Sequence, residues 1–161
     1  MSPIPIKEAA DQFLASKRIA VAGVSRESGG SHGGNIVYQR LKERGYDAFA
    51  VNPNADEVEG DRCYHTLGDI PDGVEAVVIA TAPENAPDVM RECIDLGIER
   101  VWMHRSFGQG SLSDEATRVG RAAGDTVIPG GCPLMFEPCD DGGHRFMKTV
   151  LTWTGSVPRT V

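Results

Sequence analysis

Apolar and polar positions alternate in two registers along this chain. The first stretch, residues 6–16 (IKEAADQFLAS), places Ile6, Ala9, Ala10 and Phe13 at helical spacing and predicts a short amphipathic helix. It is followed by RIAVAGV (Arg18 to Val24), a short apolar run rich in β-branched residues, as expected of a strand buried on both faces. A glycine- and serine-rich loop comes next. Residues 35–44 then return to helical spacing with Ile36, Val37, Tyr38 and Leu41, and Gly45 stands where a C-cap belongs. The same grammar repeats. YDAFAVNP (Tyr46 to Pro53) predicts a second strand stopped by Asn-Pro, and VEAVVIATAP (Val74 to Pro83) a third stopped by Pro83. IERVWMH (Ile98 to His104) predicts a fourth strand, and DTVIPGGCP (Asp125 to Pro133) holds a short fifth. Between them, ENAPDVMRECIDLG and a segment capped by Ser113-Asp114-Glu115 predict helices. The polar stretch from Asn54 to Gly73 reads as a connector with one helical turn near Thr66. The tail reads as helical from His144 to Trp153, packed outside the sheet, with Trp153 as its anchor and Trp102 in the core.

Strands that alternate with helices about five times predict an α/β fold. The expected architecture is a Rossmann-like, doubly wound, mainly parallel five-stranded sheet with helices on both faces. The expected strand order is 3-2-1-4-5. The whole chain, 1–161, is expected to form one domain with a core at about 7–137 and a C-terminal extension at 138–161.

Composition narrows the partners. The net charge is −7, so a broad nucleic-acid surface is not expected. No apolar run reaches the ~20 residues of a membrane helix, and MSPIPIKEAADQF lacks the pattern of a signal peptide; a soluble cytoplasmic protein is expected. The four cysteines, Cys63, Cys93, Cys132 and Cys139, form no CxxC pair, so free thiols and no metal site are expected.

In a doubly wound sheet, ligands lie outside the carboxyl ends of the strands. Here that crevice would be lined by Gly23 to Arg26, Asn52-Pro53, Thr81 to Pro83, His104 to Gly108, and Cys132-Pro133. The strand–glycine–helix unit suggests a phosphate site. Gly29 and Gly34 have Walker A spacing, but Asn35-Ile36 replaces Lys-Ser/Thr, which excludes that nucleotide-hydrolase motif. A GxGxxG fingerprint is missing after the first strand. The second strand ends in Asn52, where an NAD site carries a carboxylate. A neutral amide tolerates an extra phosphate on the ribose, and Arg26 supplies a forked cation for it. NADP and coenzyme A both meet that description.

The segments IAVAGVSR, GYDAFAVNP, AVVIATAPE, VWMH…G and GGCPLMF, in that order, resemble the small stand-alone CoA-binding proteins, a family similar to the CoA-binding domain of the succinyl-CoA synthetase α chain. The likeness covers roughly residues 7–137. It implies that Gly23, Val24, Ser25 and Arg26 meet phosphates, and that Asn52 and Pro53 flank the adenosine. Thr81, Ala82 and Pro83 would border the nucleotide, with Cys132 and Pro133 toward the pantetheine. Asn35 and His104 complete the expected contact set. The implied function is binding of CoA or an acyl-CoA without chemistry of the protein's own, with a homo-oligomer or protein partner as an option and no membrane or nucleic acid. The alternatives are an NADP-dependent oxidoreductase and an interaction protein with a vestigial nucleotide pocket. Cys132 has two readings, a small residue packed in a tight turn or a thiol that attacks an acyl group or forms a disulfide with CoA. His104 has three: general base, ligand contact or packing. His32 reads as a phosphate contact or as solvent-exposed.

Overall fold

The structure, a computed structural model, describes residues 2–26, 32–105 and 108–161. Among the described residues there are five α-helices: α1 (Ile6–Leu14), α2 (Gly33–Glu43), α3 (Ala86–Asp95), α4 (Asp114–Ala122) and α5 (Gly142–Trp153). Seven strands of the described residues join one sheet: β1 (Arg18–Ala22), β2 (Asp47–Val51), β3 (Glu57–Val58), β4 (Asp61–Tyr64), β5 (Ala76–Ile79), β6 (Arg100–Met103) and β7 (Thr126–Pro129). Their order is β3-β4-β2-β1-β5-β6-β7, with every neighbour parallel except the β3–β4 hairpin.

The central strands are buried on both faces because alternate residues serve different cores. Ile19, Val21, Val78, Trp102 and Ile128 join Phe13, Val37 and Leu41 on the α1–α2 side. Ala20, Ala22, Val77, Ile79, Val101 and Met103 join Met90 and Ala116 on the α3–α4 side. Trp102 anchors the first core: it is fully buried, its Nε1 donates to the Gly130 carbonyl at 2.8 Å, and Phe13 meets it edge-on at 5.3 Å.

Three expectations are corrected. The sheet has seven strands instead of five, because residues 57–64 form a hairpin. Its turn residues Glu59 and Gly60 both have positive φ, 50° and 77°, as a two-residue hairpin turn requires. The segment Val74–Pro83 is also not the third strand in space. β4 takes that place beside β2 through Ala50↔Cys63 and Val51↔Tyr64, and β5 lies on the opposite side of β1. The chain therefore winds outward from β1 to β4 and crosses back to β5, which leaves the point of reversal between β1 and β5. Finally, Trp153 is not an anchor. It is 86% exposed, while Leu151 is the residue of α5 that is buried. α5 rests on the turn Pro133–Met135, and the segment after it pairs back to the start of the chain through Ile4 and Val161.

Candidate functional site

The site is built where β1 hands over to α2. Gly23 ends β1 with φ +99°, and its N–H donates to the Val51 carbonyl at 2.9 Å. A Cβ there would lie 2.6 Å from the Ala80 carbonyl carbon, so only glycine lets the ends of β1 and β5 touch. Gly34, in the first turn of α2, repeats the device against the Gly23 carbonyl at 2.9 Å. Gly33 lies against the His104 ring, which a Cβ would meet at 2.5 Å. The N-terminus of α2 thus reaches the strand ends with two glycines and no acidic residue in its first turn. Its leading N–H groups and the helix dipole favour an anion at that position.

Two side-chain amides hold this arrangement. Asn35 is buried; its Oδ1 accepts from Ser25 N at 2.8 Å, and its Nδ2 donates to the Ser25 carbonyl at 3.0 Å and to Glu59 Oε1 at 2.7 Å. The hairpin turn therefore steadies Asn35, and Asn35 steadies the backbone of Ser25. Asn52 donates through Nδ2 to the Val24 carbonyl at 2.9 Å and accepts through Oδ1 from Asn54 N at 2.8 Å.

Two clefts open on the strand ends. The first, of about 640 Å³, lies over β2, β1 and β5 and is lined by Gly23, Ser25, Asn52, Pro53, Thr81 and Ala82, with Asp88 and Glu92 of α3 on its far wall. The second, of about 390 Å³, lies between α2 and α5 and is lined by Gly33, Gly34, His104, Ser111, Cys132 and His144, with Leu134 and Met147 as apolar wall. Ala80, Thr81 and Ala82 belong to both, so the two form one elongated depression hinged on the end of β5.

His104 is nine-tenths buried. Its main chain is fixed, with N donating to the Ile79 carbonyl at 2.8 Å and O accepting from Ser111 N at 2.9 Å. Among the described residues its ring has no hydrogen-bond partner. Burial, assisted by nearby His144, lowers its pKa to about 4, so the imidazole is neutral. The Cys132 thiol is 2% exposed, and burial pushes it up to about 12. That favours the packing reading of Cys132 over the nucleophile.

Of the expected contact residues, Gly23, Ser25, Asn52, Pro53, Thr81, Ala82, His104 and Cys132 line the depression. Val24 is a core side chain whose carbonyl is taken by Asn52, and Asn35 stands behind Ser25 as its clamp. Pro83 borders a neighbouring groove with Gln109 and Leu112, and Pro133 is buried at the start of its turn. Arg26 is exposed and is the last described residue before the 27–31 segment, where most of the long loop lies outside the described residues. Ser111, His144 and Met147 were not expected. His144 and Met147 lie on α5, past the strand–loop segments, and Ser111 lies at the far end of the loop after β6.

The CoA binding domain family matches residues 17–138. The chain belongs to that family. It is 42% identical over 85 residues to the ADP-forming acetate–CoA ligase II of Archaeoglobus fulgidus, a match covering 52% of this chain and 12% of the ligase. It is also 31% identical over 118 residues to the uncharacterized protein YneT of Bacillus subtilis, covering 73% of this chain and 82% of YneT. Among solved structures, a hypothetical protein from Pyrococcus horikoshii OT3 is similar at a TM-score of 0.67 and 30% identity, covering 79% of this chain and 89% of that one. The chain thus spans about an eighth of the ligase and most of the two small proteins. Among the described residues, no helix is long and apolar enough to cross a membrane.

Proposed function

We propose that this member of the family binds coenzyme A or an acyl-CoA along the double depression. The observation that carries the reading is the placement of the α2 N-terminus, with its paired glycines, where the two clefts meet. A ligand with a nucleotide at one end, a pyrophosphate in the middle and a long arm at the other end needs that sequence of sites. On this reading the pyrophosphate lies at Gly23, Ser25 and the first turn of α2. The adenosine enters the first cleft beside Asn52 and Pro53, and the arm runs past Thr81 and Ala82 into the second. Asn52 and Ser25 shape the cleft there, since the Asn52 amide and both main-chain groups of Ser25 are already engaged with Val24, Asn54 and Asn35. Arg26 reads the 3′-phosphate. The family match and the ligase likeness support this ligand class.

Titration calorimetry with CoA, dephospho-CoA and NADP tests it. CoA is expected to bind more tightly than NADP, and Arg26→Ala to weaken CoA more than dephospho-CoA. Equal losses for the two ligands would remove Arg26 from the 3′-phosphate. Binding of NADP alone would favour the oxidoreductase, and failure to bind any of the three would leave a vestigial pocket.

A further inference from the structure

The far wall of the second cleft comes from α5, which lies beyond the residues matched to the family. Asp141 is the N-cap of α5, and its Oδ1 accepts from His144 N at 2.9 Å. The same carboxylate grips the ring of His144, with Nδ1 at 2.8 and 2.9 Å from its two oxygens. A neutral imidazole so held carries its proton on Nδ1 and keeps a lone pair on Nε2. The His144 side chain is one-fifth exposed and lines the cleft. His104 lines the same cleft, nine-tenths buried and with its ring unpartnered among the described residues. A groove that only had to cover an aliphatic arm would need neither imidazole, and the His104 ring nitrogens, not sealed from the cleft, can meet a ligand there.

We propose that this end of the cleft is a thiol chamber, in which His144, oriented by Asp141, takes the proton of the bound ligand's thiol while His104 donates its N–H to the sulfur. The inference rests on the CoA reading above. The S–H bond breaks, an N–H bond forms at His144 Nε2, and the resulting thiolate faces an imidazolium whose charge Asp141 balances. No oxidant, reductant or second substrate is consumed. The product is the form of the thiol that attacks acyl groups. His144 is the catalytic residue of this step and Asp141 its positioning residue.

The charged neighbours are compatible with it. Arg40 of α2 acts on Asp141, His104 is neutral, and Asp140 is occupied by Arg145 at 2.6 Å. The protein's own thiols stay protonated in the working range, since burial raises Cys63, Cys93, Cys132 and Cys139.

The experiment is a pH titration of thiolate ultraviolet absorbance for the protein saturated with CoA, minus the same titration with desulfo-CoA. Saturation is established by calorimetry on each sample. The midpoint of bound CoA is expected about one to two pH units below that of free CoA. It should return to the free value in His144→Gln. It should move most of the way back in Asp141→Asn, where the amide oxygen still caps α5. Bound CoA that titrates like free CoA overturns the chamber and leaves the binding reading intact. A lowered midpoint that persists in both variants also overturns it, by assigning the effect to another group. Absence of CoA binding removes the binding reading and this inference together.

Discussion

The two clefts share the end of β5 yet are built on opposite plans. In the first, larger cleft the polar groups of Asn52 and Ser25 nearest the strand ends are consumed by the scaffold. Asn52 uses both ends of its amide to join the loops after β1 and β2, and Ser25 has its main chain clamped by Asn35. What these residues offer a ligand is form. In the second cleft the main chain is equally fixed, but a buried imidazole is left over and a second one is aimed by a carboxylate. The contrast teaches that a binding surface is best judged by which polar groups remain uncommitted after the scaffold has been satisfied. A list of lining residues would not have separated the two.

The sharpest way to break the pair is at their hinge. Gly23→Ala forces a side chain into the carbonyl of Ala80 at a φ of +99°. Strain and overpacking together should cost about 4 kcal/mol. Both clefts should fail at once, with CoA binding lost. Gly97→Ala is the control. Its φ is +71° but nothing lies within 4 Å of the new Cβ, so about 1 kcal/mol is expected. Urea unfolding of the two variants reads the difference; equal midpoints would show that the β1–β5 contact carries no special constraint.

Acid separates the clefts next. His104 titrates near 4 in the folded protein against an ordinary value of 6.5. Between those values the unfolded chain holds a proton that the folded one refuses. The stability is therefore intact above pH 6.5 and is lost as the pH falls toward 4, by about 3 kcal/mol. Asp125, held up by burial, works in the opposite sense, while the depressed carboxylates Asp61, Glu75 and Asp141 add to the loss as the pH falls through and below the ordinary carboxylate range. His104→Gln should flatten the slope above pH 4. A slope unchanged in that variant would mean that the ring is not held neutral by its burial.

The first cleft answers to Asn35→Ala. Three hydrogen bonds of a buried amide are lost; the Ser25 backbone loses the bonds to Asn35, and the Glu59 carboxylate keeps only Gln39 of its two amide partners. About 2 kcal/mol of stability should go with them, together with a weakening of CoA comparable to that of dephospho-CoA. A variant that loses stability but binds as before would show that the clamp serves the hairpin alone.

How far these features were readable in the sequence follows from the same physics. β1, β5 and β6 announce themselves because strands buried on both faces are continuous apolar runs, and the crevice at their ends follows from topology. The β3–β4 hairpin is half exposed and buries Val58 and Cys63 while showing Glu57 and Arg62 to solvent, so it resembles a polar connector. Glu59-Gly60 is its local turn signal, and without the hairpin the expected third strand falls on the wrong side of β1. Asn52 lines the cleft at the strand end, but its amide also joins Val24 to Asn54, and a sequence does not show whether an amide is already engaged. His144 was invisible for a different reason. Its partner Asp141 lies three residues away, but the cleft that gives the pair a purpose is made by β5, β6 and α2.

The smallest effect tests whose thiol belongs to the second cleft. Cys132 lines it, yet its sulfur is buried and its thiolate is disfavoured, with a pKa about 12. Alkylation of the folded protein at that position should be slow, and should become fast only on unfolding. Cys132→Ala removes one sulfur from the wall and should cost about 1 kcal/mol. CoA affinity should change less than about twofold, since the thiol donates nothing to the ligand that a methyl group would miss. Incubation of the wild-type protein with oxidised CoA, read by mass, completes the test. A mixed disulfide that forms at full occupancy and disappears in Cys132→Ala would reverse the assignment, because the reactive sulfur of the second cleft would then be the protein's. An unmodified protein would leave the ligand's thiol, beside His144, as the sulfur on which the two imidazoles act.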